Sequence, residues 1–229
     1  MEFIGITALI DAVIAILAWV VLYMRKPADG MVSNKVHALS SYLLATFFFL
    51  VLIAFTILKT TGLNQQIMFL ISDLVLWVSL IAFISLMYAD MSGGNKKTLI
   101  WVFCVFALMR TLFQLAGIMG VDISFLGDKM LYVLSQLDAW LMYVVWVPSG
   151  LYLIGVALKT DSSVVRARAL MFSIGILLIT FTWAFRLLAA ASVAESTAFI
   201  LVSGASLVGF ILLLAGVLYR GHEMTPQTS

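Results

Sequence analysis

The chain has 229 residues, 64% of them apolar and only 10% charged, and a mean hydropathy of +1.15, which excludes an ordinary soluble domain because its surface would be far too apolar. A net charge of +2 leaves no basic footprint for a nucleic-acid partner. The single cysteine, Cys104, excludes an intramolecular disulfide and a cysteine metal cluster, and reads as a small buried hydrophobe.

A helix needs about 20 apolar residues to cross the hydrocarbon core. The first run that qualifies is 3–24. It has no basic n-region, carries Glu2 and Asp11 at and within its start, and is too long for the core of a cleavable signal, so it reads as a span. Six further runs follow, at 38–58, 67–88, 98–119, 130–157, 169–191 and 197–219. Polar punctuation separates them. The segment 25–37 holds Pro27 and Gly30, 59–66 holds Gly62 and Asn64, and 90–97 reads DMSGGNKK. Then 120–129 holds Asp122, Gly127 and Asp128, 159–168 reads KTDSSVVRAR, and 192–196 is a very short turn. Residues 220–229 form a short cytoplasmic tail.

These runs are continuously apolar and about twice the length of a barrel strand. The fold class is therefore all-α, an integral membrane bundle of seven transmembrane helices. No loop is long enough to house a soluble module, so 1–229 reads as a single membrane domain.

Basic residues set the orientation. With the N-terminus outside, Arg25, Lys26, Lys35, Lys96, Lys97, Lys159, Arg166, Arg168 and Arg220 lie inside, and only Lys59 and Lys129 lie outside. That bias predicts a multi-pass protein of the cell membrane with a cytoplasmic C-terminus. Pro148, inside the fifth span, predicts a kink, with Ser149, water or a neighbouring helix as the partner of the freed carbonyl. In the seventh span, Ala205 and Gly209 stand four apart and predict close helix packing, within the bundle rather than between copies.

Five charges interrupt the apolar runs: Asp11, Asp73, Arg110, Asp138 and Arg186. Each costs at least about 2.5–3.5 kcal/mol at the bilayer centre, so none is expected to face lipid. Counting about 1.5 Å per residue from the outer end of each run puts Asp11 and Asp138 roughly 12 Å in, Asp73 and Arg186 roughly 9 Å, and Arg110 roughly 15 Å. All five fall in the outer half. From the third span to the sixth the signs alternate, which sets each aspartate against an arginine on the next helix and leaves Asp11 as the odd member. Gln114 and Ser135 stand one turn outward of Arg110 and Asp138, Thr7 is beside Asp11, and Trp77 and Trp183 accompany Asp73 and Arg186. Trp77 and Trp183 fit pocket lining and core packing equally; Tyr132 and Trp140 read as interfacial belt residues.

Three uses fit this layer. It can line an outward-facing polar cavity for a small polar or anionic ligand, bound by Asp11, Asp73, Arg110, Gln114, Asp138, Trp183 and Arg186. It can be a set of buried ion pairs that fixes helix register in a structural or assembly subunit. It can belong to a small transporter or channel, which the apolar inner half disfavours.

Catalysis lacks its residues. The lysines all lie in loops or at helix ends, so the seventh span has none for a retinal Schiff base. His37 and His222 stand at opposite ends of the chain, away from haem or zinc ligand spacing. A membrane serine protease lacks its buried base, and FLGD at 125–128 lacks the first glycine of a GxGD motif. The chain is therefore expected to be no enzyme, with no cofactor, no metal and no catalytic residue.

Three stretches carry a family resemblance: the basic pair Arg25 and Lys26 closing the first span, KTDSSVVRARALMFSIGILL entering the sixth, and AESTAFILVSGASL opening a seventh that closes on Arg220. In layout the chain resembles the seven-transmembrane-helix sensory input domains at the N-terminus of some bacterial histidine kinases. Such sensors continue into a cytoplasmic output module, whereas this chain ends ten residues after Tyr219. The resemblance implies a stand-alone receptor-like domain in the lipid bilayer whose output passes to a separate cytoplasmic or membrane protein partner.

Overall fold

The computed structural model describes the backbone of residues 2–24, 30–87, 93–135, 137–192 and 195–219, and the side chains of 4–24, 39–85, 97–135, 137, 140–181, 197 and 200–219. The described residues form eight α-helices: α1 (Glu2–Met24), α2 (Gly30–Lys59), α3 (Gly62–Met87), α4 (Gly93–Ile118), α5 (Asp128–Ser135), α6 (Leu137–Lys159), α7 (Ser163–Ser192) and α8 (Glu195–Leu218). Seven of them are long and apolar enough to cross a membrane; α5 is the short one. The span expected at 130–157 corresponds to α5 and α6, which flank position 136, outside the described residues.

Four helices, α2, α3, α4 and α7, begin well before their apolar runs, α2 and α7 by the most. α2 starts at Gly30 and α7 at Ser163, so the polar stretches 30–37 and 163–168 are helical. An apolar-length criterion marks only the hydrocarbon-crossing part, and residues such as Lys, Arg and Ala carry a helix on into the interface. Two arginines of the α6–α7 end cap helices there. Arg166 Nη2 donates to the Thr160 carbonyl at 2.9 Å and Arg168 Nε to the Tyr219 carbonyl at 2.8 Å, both at helix C-termini whose carbonyls lack helical partners. At the opposite face α2 turns into α3 through two residues, and Gly62 takes φ +60°, a conformation that glycine adopts without strain.

The helices close into a ring. α1 packs on α2, α2 on α3, α3 on α4, α4 on α6, α6 on α7, α7 on α8, and α8 returns to α1. α3 also touches α6 across the ring, and α5 lies against α4 and α6. The tightest crossing is α7 on α8. A Cβ added at Gly209 would lie 2.8 Å from the Gly175 carbonyl oxygen, and one at Gly175 would lie 2.8 Å from that of Gly209. The small residues of the seventh span thus serve packing inside the bundle.

α6 runs as helix through Pro148. Ser149 Oγ donates to the Val145 carbonyl at 2.6 Å, so its hydroxyl does not take the Val144 carbonyl, whose ordinary helical donor the proline lacks. The next turn is tied to α7, where the buried Ser173 Oγ donates to the Gly150 carbonyl at 2.8 Å.

Toward the α6–α7 end the ring is filled with aromatic side chains. Tyr42, Phe83 and Trp146 are buried, with ring centroids 5.1 Å apart for Tyr42–Phe83 and 6.4 Å for Phe83–Trp146. Tilted ring contacts of this kind pack the interior.

Candidate functional site

A cavity of about 600 Å³ lies inside the ring, within the range of small-molecule sites. All seven long helices contribute to its wall. On the first four long helices the lining residues come from the N-terminal half of α1, the C-terminal halves of α2 and α4, and the N-terminal two-thirds of α3. In an up-and-down bundle those four segments share one face, the face of the α2–α3 turn. Trp146 lines the cavity and rests on Phe83, so it forms part of the floor.

Asp11, Asp73, Arg110 and Gln114, which the sequence marks as a polar layer, all line this one cavity. Asp138 lies on α6, and Trp183 and Arg186 on α7, but their side chains fall outside the described residues. Trp77, by contrast, does not line the cavity: it is buried with its ring edge-on to Phe103 of α4, at 5.8 Å between centroids.

Two contacts of the layer lie among the described residues. The α4 side chain that reaches Asp73 is Gln114, whose Nε2 donates to Asp73 Oδ2. Arg110 Nη1 instead donates to the Leu134 carbonyl of α5 at 3.3 Å, and the guanidinium lies 5.7 Å from the Phe113 ring centroid. The depths counted along the runs agree with these contacts. Gln114 stands roughly 8 Å from the outer end of its run, close to Asp73 at roughly 9 Å, whereas Arg110 is roughly 15 Å deep.

Asp11 is 2% exposed and accepts a hydrogen bond from Ser206 Oγ at 2.6 Å, which ties the first long helix to the last. Among the described residues its other oxygen, Oδ1, is buried without a partner, as are Arg110 Nε, Gln114 Oε1 and Trp146 Nε1. A buried polar atom left unpaired costs about 1–3 kcal/mol; these four belong to residues that line the cavity, whereas Trp77 Nε1 and Tyr143 Oη, also unpaired among the described residues, do not.

Sequence reasoning passed over Ser203 and Ser206 of α8, Thr46 and Ser79, which share a 2.8 Å hydrogen bond between α2 and α3, and Gln66 and Trp146. Ser206 had a signal. It stands roughly 13 Å from the outer end of its run, level with Asp11. Serine and threonine are common in membrane helices, where their hydroxyls bond back to the i−4 carbonyl, as Thr56, Ser72 and Thr180 do, and this hides the few that face a cavity.

Compared with family models, curated proteins and solved structures, the chain finds no match in any of the three. The site stands on its own geometry.

Proposed function

We propose that the chain is a receptor-like protein of the cell membrane, with its N-terminus outside and its C-terminus cytoplasmic. A small polar or anionic ligand enters the ring from outside, and the signal passes to a separate cytoplasmic or membrane partner, as the resemblance to histidine-kinase input domains implies. The reading involves binding and no catalysis. Its orientation rests on the excess of Lys and Arg on the α6–α7 side.

The observation that carries the reading is the convergence of Asp11, Asp73, Arg110 and Gln114 on one cavity with unpaired polar atoms. The buried aromatic packing of Tyr42, Phe83 and Trp146 favours a site over a through-path. A second reading, a structural subunit, is favoured by the cross-helix bonds Ser206–Asp11, Gln114–Asp73 and Thr46–Ser79, which hold helices as well as they line a cavity.

Gly117 separates the two. It lines the cavity, and a Cβ there meets no atom within 4 Å. Gly117→Leu therefore adds bulk at a lining position whose first side-chain atom meets open space. The protein in nanodiscs is titrated with a panel of small carboxylates, phosphates and zwitterions, and thermal unfolding is followed. The receptor reading expects at least one compound to raise Tm in the native protein and to lose that effect in Gly117→Leu. No shift with any compound favours the structural subunit.

A further inference from the structure

The cavity presents mostly apolar surface, although Asp11, Asp73, Arg110 and Gln114 belong to its wall. Their polar atoms are engaged within the wall itself. Asp11 Oδ2 is bonded to Ser206, Asp73 to Gln114 and Arg110 to the Leu134 carbonyl, and Asp11 Oδ1, Arg110 Nε and Gln114 Oε1 have almost no accessible surface. Deeper in, roughly 18–20 Å from the outer ends of their runs, Ile179 and Phe210 line the cavity, and two hydroxyls at that level, Thr46 and Ser79, are bonded to each other. A ligand that fills this space is therefore largely hydrocarbon. A water's share of liquid volume is about 30 Å³ and a methylene's is close to it, so about 600 Å³ has room for about 20 such groups: one chain with a polar head, not two chains.

The wall is thinnest along the C-terminal half of α4. None of residues 108–118 is buried, yet Arg110, Gln114, Gly117 and Ile118 line the cavity. The halves of α1, α2, α3 and α8 at the same face hold Ala8, Ala54, Ser72 and Ser203, all buried. Among the described residues α4 also packs less closely on α3 and α6 than the other neighbours in the ring pack on each other. Two hydrogen bonds there tie this stretch to its surroundings, Gln114 to Asp73 of α3 and Arg110 to the Leu134 carbonyl of α5. Outward of the Gln114–Asp73 bond, Gln66 and Phe69 of α3 and Gly117 and Ile118 of α4 line the last turns, and Gln66, Phe69 and Gly117 are exposed. The cavity is not sealed, and this rim joins an amide to apolar side chains at the level where headgroups meet hydrocarbon.

We propose that the cavity binds a single-chain amphiphile, a fatty acid or a monoacyl lipid, which enters from the outer leaflet beside the C-terminal half of α4. The chain lies along the apolar lining toward Phe210. The head stays at the rim with Gln66 and Gln114, whose amides both donate and accept hydrogen bonds. Entry parts α4 from α3 at the Gln114–Asp73 bond. A chain drawn from the leaflet leaves one apolar medium for another, so it needs no passage through water. This inference rests on the receptor reading and gives its ligand an apolar chain.

The probes are analogues of lauric acid and of monolaurin, each with a diazirine at the end of its chain. They are applied to the full chain in nanodiscs of two-chain phospholipid, irradiated, and the labelled residues are mapped by mass spectrometry. At least one probe should label the deep lining, at Ile179 or Phe210, and the labelling should saturate. The unlabelled parent compound should compete at least tenfold better than octanoate, and which parent competes distinguishes an acid head from an ester head. Labelling of the exposed Val102 and Val105 of α4 should not saturate. Gly117→Leu should lower the deep labelling at least fivefold and leave that of Val105 as it was. Gln114→Met, which lacks the tie to α3, should speed the deep labelling about threefold. The native pattern needs no variant, so a variant that fails to fold leaves the test intact. Labelling by both probes confined to Val102, Val105 and other exposed positions overturns the amphiphile, and deep labelling unchanged in Gly117→Leu overturns entry beside α4. If the amphiphile falls, a soluble compound of the panel that raises Tm in the native protein and not in Gly117→Leu keeps the receptor reading standing; with no such compound, both fall.

Discussion

Ser206 Oγ donates to Asp11 Oδ2 at 2.6 Å, joining α8 to α1 across 195 positions of sequence. The bond closes the helix ring at cavity level. Among the described residues it leaves Asp11 with one satisfied oxygen and one unsatisfied. Ser206→Ala is expected to lower stability by about 1–2 kcal/mol, since it strips the buried carboxyl of this partner. Ser206→Thr keeps the hydroxyl and should recover most of the loss. Denaturant unfolding in micelles measures both.

Gln114 holds α4 to α3 through Asp73. Gln114→Met keeps the length and apolar bulk of the side chain but loses the donor, and should cost about 1–2 kcal/mol. Gln114→Glu replaces the donor with a second carboxylate facing Asp73 and should cost more than Gln114→Met. Equal losses in the two variants would show that the contact contributes packing and not a hydrogen bond.

Two glycines should respond in opposite ways to the same change. Gly209→Ala sets a methyl 2.8 Å from the Gly175 carbonyl oxygen, so α7 and α8 must separate, at a cost of about 1–3 kcal/mol. Gly117→Ala meets nothing within 4 Å and should be neutral or stabilising by up to about 1 kcal/mol, because alanine is the better helix residue. Thermal melts of the pair check both signs.

Phe83 is 2% exposed and sits between Tyr42 and Trp146. Phe83→Ala should cost about 3–5 kcal/mol by leaving a void under the cavity floor. Phe83→Leu fills most of that space and should cost less than half as much.

The architecture was legible because lipid imposes a simple rule: about 20 apolar residues mark each crossing. Six of the seven crossings could be placed from length alone, and the rule understated the starts of α2, α3, α4 and α7, whose polar first turns are helical. The charged layer was legible for a related reason. Asp11, Asp73, Arg110 and Gln114 are too costly to leave in lipid, so they turn to the ring interior. The bond from Gln114 to Asp73 was not legible, because the alternation of charges along the chain drew attention to Arg110 and not to the amide one turn outward. The hydroxyl lining was hidden because Ser203 and Ser206 look, in sequence, like the small residues that pack helices together.

The central claim is that the ring interior is a site reached from the N-terminal face. Ser203 lines the cavity and is 4% exposed, so Ser203→Cys in a Cys104→Ala background reports on access to it. A membrane-impermeant thiol reagent is applied to each side of sealed, oriented vesicles. Modification from the N-terminal face, slowed by a bound ligand and absent from the opposite face, is the predicted result. Complete protection from both faces, or equal modification from both, would contradict it.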